Sequence, residues 1–189
     1  YENEKYAEAI SKCEENIISF SGEPVVSKLE FLKSLAIARV YGFKEYEKSL
    51  QFIKLNYSVT LEGKEAERIL VEVLPQIKND EFKENKVSEN YKIVYVFEKD
   101  ENDKISQQLN DLQQYIDGVD FLDLRVSEDF YNNIVTFVVV HGLKSYDGSF
   151  GLSERLEKTI NIQADSFFVI SSDNYKTIQI HKNLEQFRN

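Results

Sequence analysis

YKIVYVFE, residues 91–98, is the stretch on which the reading of the chain turns. Tyr91, Ile93, Val94, Tyr95, Val96 and Phe97 are β-branched or aromatic, the residue types that fit a pleated and packed surface. The stretch reads as a strand. Upstream of it apolar residues recur at steps of three and four. From here onward the period falls to two, so the chain divides into a helical part and a mixed part.

Downstream, DENDK (100–104) reads as an acidic loop in which Asp103 is the N-cap of a helix. ISQQLNDLQQYI then sets Ile105, Leu109, Leu112 and Ile116 on one helical stripe. FLDLRVS alternates, with Leu122, Leu124 and Val126 inward and Asp123 and Arg125 outward. Asn132–Asn133 suits a hairpin turn, and IVTFVVVHG (134–142) reads as a buried strand. LSERLEKTI aligns Leu152, Leu156 and Ile160 as a second helix, and FFVIS (167–171) is a fourth strand. Strand, helix, strand, strand, helix, strand is the order of the split βαβ, ferredoxin-like arrangement. Right-handed crossovers place both helices on one face of an antiparallel sheet. The tail TIQIHKNLEQF stays ambiguous: Thr177–Ile180 suits an added strand and Leu184–Phe187 the start of a helix.

Upstream, four helical patterns follow one another. Tyr6, Ala9, Ile10, Cys13, Ile17 and Phe20 form the first stripe, and Leu29, Leu32, Leu35, Ala36 and Val40 the second. Tyr46, Leu50, Ile53 and Tyr57 form the third, and Ala66, Ile69, Leu70, Val73 and Leu74 the fourth. Gly42 separates the second helix from the third, and Pro75 is expected to end the fourth. KYAEAI (5–10) and EYEKSL (45–50) echo each other, each with a Tyr three residues before a small residue. That pattern suits tetratricopeptide-type hairpins, in which the small residue lets paired helices approach closely. NDEFKENKVSE (79–89) is almost wholly polar and marks the boundary. The expected class is α+β: tetratricopeptide-like helical hairpins over 1–86, then a ferredoxin-like βαββαβ domain over 90–189.

The balance of charge excludes some partners. The chain of 189 residues has a formal net charge of −10, and acidic residues outnumber basic ones in both halves. A nucleic-acid binder needs a basic face to displace counterions from phosphate, so no nucleic-acid partner is expected. The same balance disfavours anionic lipid, and no apolar run is long enough to cross a membrane. Cys13 is the single cysteine, so an internal disulfide is excluded. The chain opens at Tyr1 without a Met, which reads as a piece of a longer protein.

Sites for chemistry are sparse. His141 closes a strand at a glycine and His181 lies in the tail, neither within a nucleophile motif. GSFG (148–151) is not Gly-x-Ser-x-Gly and reads as the lead-in to a helix. DENDK lacks the glycine and the closing Glu of a calcium loop. Asp117, Asp120 and Asp123 do not share a face, and no glycine-rich phosphate cradle is present. No catalytic residue, cofactor site or metal site is therefore assigned. SSDNY (171–175) reads as a turn ending the last strand, with Tyr175 packing back on the sheet. Ser172, Asp173, Asn174 and Tyr175 are the residues singled out as a protein contact.

Lys28, Phe31, Leu32, Tyr46, Leu50, Asn56, Tyr57, Thr60, Glu62, Gly63 and Ala66 follow one pattern, as do Val169, Ile170, Ser171, Asn174 and Tyr175. In these positions the chain resembles the carboxy-terminal region of the large tetratricopeptide-repeat lipoproteins of Bacteroidetes of the SprE/PorW type. Ser58 stands where that pattern has Pro, and Leu35–Ala36 shifts its small residue. The resemblance implies a non-enzymatic scaffold or adaptor of the type IX protein secretion and gliding motility machinery. It implies a place at the periplasmic face of the outer membrane, through a lipid anchor outside this fragment. The partners would be other protein subunits of that complex, the translocon and the ring lipoproteins, with no membrane contact by this fragment itself. The alternative is a helical-repeat module fused to a small-ligand sensing domain, since such domains leave no local motif.

Overall fold

The structure is a computed structural model and describes residues 5–78, 81–119 and 123–189. The expectations for Leu122, Asp120 and the Asn79–Asp80 part of the boundary lie outside these residues. The fold is α+β: a helical amino-terminal region is followed by a four-stranded antiparallel sheet with helices. The chain divides into two compact units, Tyr1–Glu81 with Gln179–Asn189, and Phe82–Ile178.

The helical unit contains α1 (Tyr6–Ser19), α2 (Val25–Tyr41), α3 (Phe43–Asn56) and α4 (Leu61–Arg68). Tyr6, Ile10 and Cys13 face inward from α1, as the spacing predicts. Phe43, Leu50, Ile53, Ala66 and Leu74 form a second cluster, with Tyr46 and Tyr57 packed against it. Helix α2 departs from its expected stripe. Ala36 and Val40 are buried, but Leu32 is 40% exposed, while Ser27, Glu30 and Ser34 go inside. α1, α3 and α4 all pack on α2. It is enclosed on several sides, and the short serines occupy positions where a leucine would hold the helices apart. Each buried polar group is satisfied: Ser27 donates to Glu62 at 2.9 Å, Ser34 to the Phe31 carbonyl at 2.7 Å, and Glu30 pairs with Lys33 at 2.8 Å.

Glycine is required at two turns. Gly42, between α2 and α3, has φ +81°, a conformation that side-chain-bearing residues rarely adopt. At Gly63 a Cβ would stand 1.9 Å from the Tyr57 carbonyl oxygen, so the α3–α4 turn closes onto bare backbone. Pro75 does not end the fourth helix. Ile69–Val73 widens into a π-helical turn, and α5 (Leu74–Ile77) continues past the proline. A wide turn just before Pro75 accommodates a residue that has no N–H to give.

The sheet unit runs β1 (Tyr91–Glu98), α6 (Asn102–Asp117), β2 (Arg125–Phe130), β3 (Val135–Leu143), α7 (Tyr146–Thr159) and β4 (Ser166–Ser171). The spatial order is β2-β3-β1-β4, all antiparallel. Ile93, Tyr95 and Phe97 share one face with Val138, Val140 and Val169. Ile105 and Leu112 of α6 and Leu152 and Leu156 of α7 close this core, so both helices lie on one face. Lys92 and Val94 of β1 and Phe137, Val139 and His141 of β3 alternate to the opposite face. There Tyr131 stacks on Phe137 at 4.7 Å between ring centroids. Two local expectations shift. Helix α6 begins at Asn102, so Asp103 lies in its first turn and Glu101 takes the N-cap position. GSFG lies inside α7, which Ser145 caps by accepting from the Gly148 amide at 3.1 Å.

The polar run after β4 is not a turn. Ser172–His181 forms α8, and Leu184–Arg188 forms α9. Ser171 Oγ accepts from the Asn174 amide at 3.3 Å, the geometry of a helix N-cap. Ser, Asp and Asn favour turns and helix starts alike. Here burial of Tyr175 and Ile178 on the next turn of backbone selects the helix. Thr177–Ile180 is accordingly helical rather than a fifth strand. Residues 179–189, placed by the sequence with the sheet, cluster with the helical unit: Ile180 packs on its core, and the His181 ring lies 5.2 Å from that of Phe43.

Candidate functional site

The residues singled out from sequence occupy the first turn of α8, each in a different role. Asp173 is exposed and pairs with Lys83 at 2.7 Å. Asn174 is buried, accepting from the Lys83 amide and donating to the Lys83 carbonyl, both at 2.9 Å. Asn85 does the same for β4, accepting from the Ser171 amide at 2.7 Å and donating to the Val169 carbonyl at 3.0 Å. Ser172 donates its amide to the Asn90 carbonyl at 2.9 Å. Tyr175 is buried, and its hydroxyl donates to Asp129 at 2.5 Å.

That last bond leads to a polar network on the sheet face opposite α6 and α7. Lys92 Nζ donates to His141 Nδ1 at 2.8 Å, and Ser127 Oγ lies 2.7 Å from His141 Nε2. Ser127 in turn donates to Asp129 Oδ1 at 2.7 Å. An ammonium has donors only, so Nδ1 accepts, the ring proton sits on Nε2, and Nε2 donates to Ser127. The run is therefore Lys92 to His141 to Ser127 to Asp129, with Tyr175 closing on the same carboxylate. A serine nucleophile needs the opposite polarity, with the hydroxyl donating to the imidazole and the imidazole to the carboxylate. Here the Ser127 proton is already given to Asp129. The arrangement is a bridged ion pair.

The electrostatics agree. His141 is pushed down to about 4, by burial first and then by the Lys92 ammonium, with Arg125 adding to this and Asp129 opposing it. Burial also lowers Lys92, against the pull of Asp129 and with the push of Arg125. A neutral imidazole thus stands between two cations.

The hairpin places these groups. Arg125 pairs with His141 and Ser127 with Val139, so Ser127 and His141 are diagonal neighbours on one face. The β1–β3 register slips by one residue between Tyr91 and Ile93. Gly142, with φ +94°, supplies that bulge, and a Cβ there would meet the Asp123 carbonyl oxygen at 2.1 Å. The bulge opens a cleft of about 380 Å³ at this end of the sheet, lined by Asn90, Lys92, Asp123, Arg125, His141 and Ser172. The turn at Asn132–Asn133 was the available signal for the Ser127–His141 pair, because strands folded about Asn133 bring 127 opposite 139. Nothing local pointed to Lys92.

Elsewhere chemistry is thin. Cys13 is buried, and desolvation raises its thiol above the ordinary range. Among the described residues no three His, Cys, Asp or Glu side chains come together as a metal site. Among them, too, no helix is long and apolar enough to cross a membrane. On the helical unit, Phe52, Leu55, Val59 and Leu61 are exposed by 46, 78, 86 and 78% around the α3–α4 turn. No protein-family model matches the chain, no curated protein matches it in sequence, and no solved structure matches it in fold.

Proposed function

We propose that this chain is a non-enzymatic scaffold or adaptor of the type IX protein secretion and gliding motility machinery. It would link the outer-membrane translocon to the periplasmic ring lipoproteins, held at the periplasmic face of the outer membrane by a lipid anchor elsewhere in the protein. The family resemblance supplies the machine. One structural observation supports a contact role: the apolar patch of Phe52, Leu55, Val59 and Leu61, four large side chains within ten residues and largely in solvent. Large apolar side chains exposed so near one another in the chain are a feature of protein contact sites. The finer fold assignments belong to the same reading. Short turns and small residues at the helix crossings support tetratricopeptide-like hairpins. The spatial order β2-β3-β1-β4 with both helices on one face supports a ferredoxin-like sheet unit.

The test is affinity capture from native envelopes with the immobilised chain, compared with a Leu55→Glu/Val59→Glu variant. The wild type is expected to retain other subunits of the machine and the variant to lose them, with unchanged circular dichroism. Retention of no such subunit by the wild type refutes the role. Equal retention by the variant refutes the patch. A second reading, a helical module joined to a small-ligand-binding domain, is favoured by the cleft at Lys92, Arg125 and His141. A compound that binds the folded state raises the melting temperature by mass action.

A further inference from the structure

We propose that the cleft at the β1–β2–β3 end of the sheet binds an oxyanion, the carboxylate or phosphate of a small molecule, between Lys92, Arg125 and Asn90. This rests on the small-ligand reading of that unit. Arg125 and His141 are direct cross-strand partners, so their side chains leave the same face side by side. Lys92 reaches the same imidazole from the neighbouring strand at 2.8 Å. Two cations thus converge on one end of the sheet. Among the described residues neither makes an ion pair within 4.0 Å. The carboxylate that balances Lys92, Asp129, is held at a distance behind His141 and Ser127.

A further basic side chain stands beside the lining. Asn90 is itself contacted by Lys144, whose Nζ lies 3.3 Å from Asn90 Oδ1, so a third cation borders the cleft. Ser172, the first residue of α8, adds a hydroxyl and the positive end of a helix. Asp123 at the rim is exposed and offsets one of these charges. In a chain of net charge −10, Lys92, Arg125 and Lys144 against Asp123 leave a basic excess around this cleft. The volume of about 380 Å³ lies at the small end of the range of ligand pockets, roughly 300–1,000 Å³. A bound oxyanion would favour the charged imidazole and so oppose the burial and the Lys92 ammonium that hold His141 low.

The experiment is an NMR titration of the whole chain with inorganic phosphate and, separately, with succinate, against sodium chloride at matched ionic strength. Amides of residues 90–92, 125, 141–142 and 172 and the His141 ring nitrogens are the reporters. Saturable shifts there, with the His141 pKa moving upward, are expected for at least one probe. Response to phosphate alone assigns a phosphate ligand, and response to succinate alone a carboxylate. Arg125→Gln, at an exposed position, is expected to weaken binding about tenfold or more, as for loss of a charge-assisted hydrogen bond. Shifts that are linear and equal to those in chloride, or an affinity unchanged by Arg125→Gln, overturn the proposal. If neutral metabolites but no oxyanion saturate these reporters, the oxyanion assignment falls and the small-ligand reading stands. If no compound does, both fall.

Discussion

Replacing His141 by Gln should flatten the pH dependence of the sheet unit's stability, and the size of the effect follows from the network. In the folded chain His141 is held at about 4 against an ordinary 6.5. Between those values the unfolded chain binds a proton that the folded chain does not, so unfolding free energy rises with pH across the window. The His141 contribution is complete above pH 6.5, is lost as pH falls, and is gone below about 4. At 1.36 kcal/mol per pKa unit the full effect is about 3 kcal/mol. We expect about 2 kcal/mol, because the imidazole borders an open cleft and water screens part of the interaction. The groups facing His141 are Lys92 from β1, Arg125, Ser127 and Asp129 from β2, and Tyr175 from α8 through Asp129. The comparison with His141→Gln cancels the titrating groups common to both proteins. The assay is urea unfolding at several pH values, followed through amide resonances of Val94 and Val139. The wild type should lose about 2 kcal/mol relative to His141→Gln between pH 7.5 and 4. With two histidines in the chain, a ring-nitrogen titration also reads the pKa and the tautomer directly. Titration of His141 near 6.5, a proton on Nδ1, or parallel stability curves would refute the reasoning.

Other expectations concern single side chains. Gly63→Ala should destabilise the helical unit by about 2 kcal/mol despite alanine's helix preference, because the new methyl meets the Tyr57 carbonyl and backbone must move. A neutral or stabilising result in chemical denaturation would count against the turn geometry. Asn174→Ala removes both bonds to the Lys83 backbone at a buried site and should cost about 3 kcal/mol, with faster amide exchange at Lys83. A loss under about 0.5 kcal/mol would mean that water replaces the clamp. Cys13 should resist a thiol reagent in the native chain and react on unfolding, and labelling at the rate of a free thiol would contradict its burial.

Much of the architecture is written locally. β1 and β3 were legible because β-branched and aromatic residues cluster there at a strand's length, and α6 because four apolar residues share one stripe. The site was less so. Ser127 and His141 follow from a turn placed at Asn133, since pairing about that point fixes which residues share a face. Lys92 joins them only because β1 lies beside β3, a pairing between residues far apart in the chain. Tyr175 reaches Asp129 because α8 starts where a turn was expected. Ser171 to Asn174 suit both structures, and no local signal separates them.

The sequence alone determined the periods: helical steps up to Leu74, alternation from Tyr91, and the order of strands and helices between. Those are local properties, set by which side chains can share a face of one element. Only tertiary structure decided what depends on neighbours. It put Ser34 rather than Leu32 inside α2, because a helix enclosed by three others needs small residues at its crossings. It also brought Lys92, Arg125 and His141 to one end of the sheet, because strand order and the bulge at Gly142 arise from long-range backbone pairing that no single segment encodes.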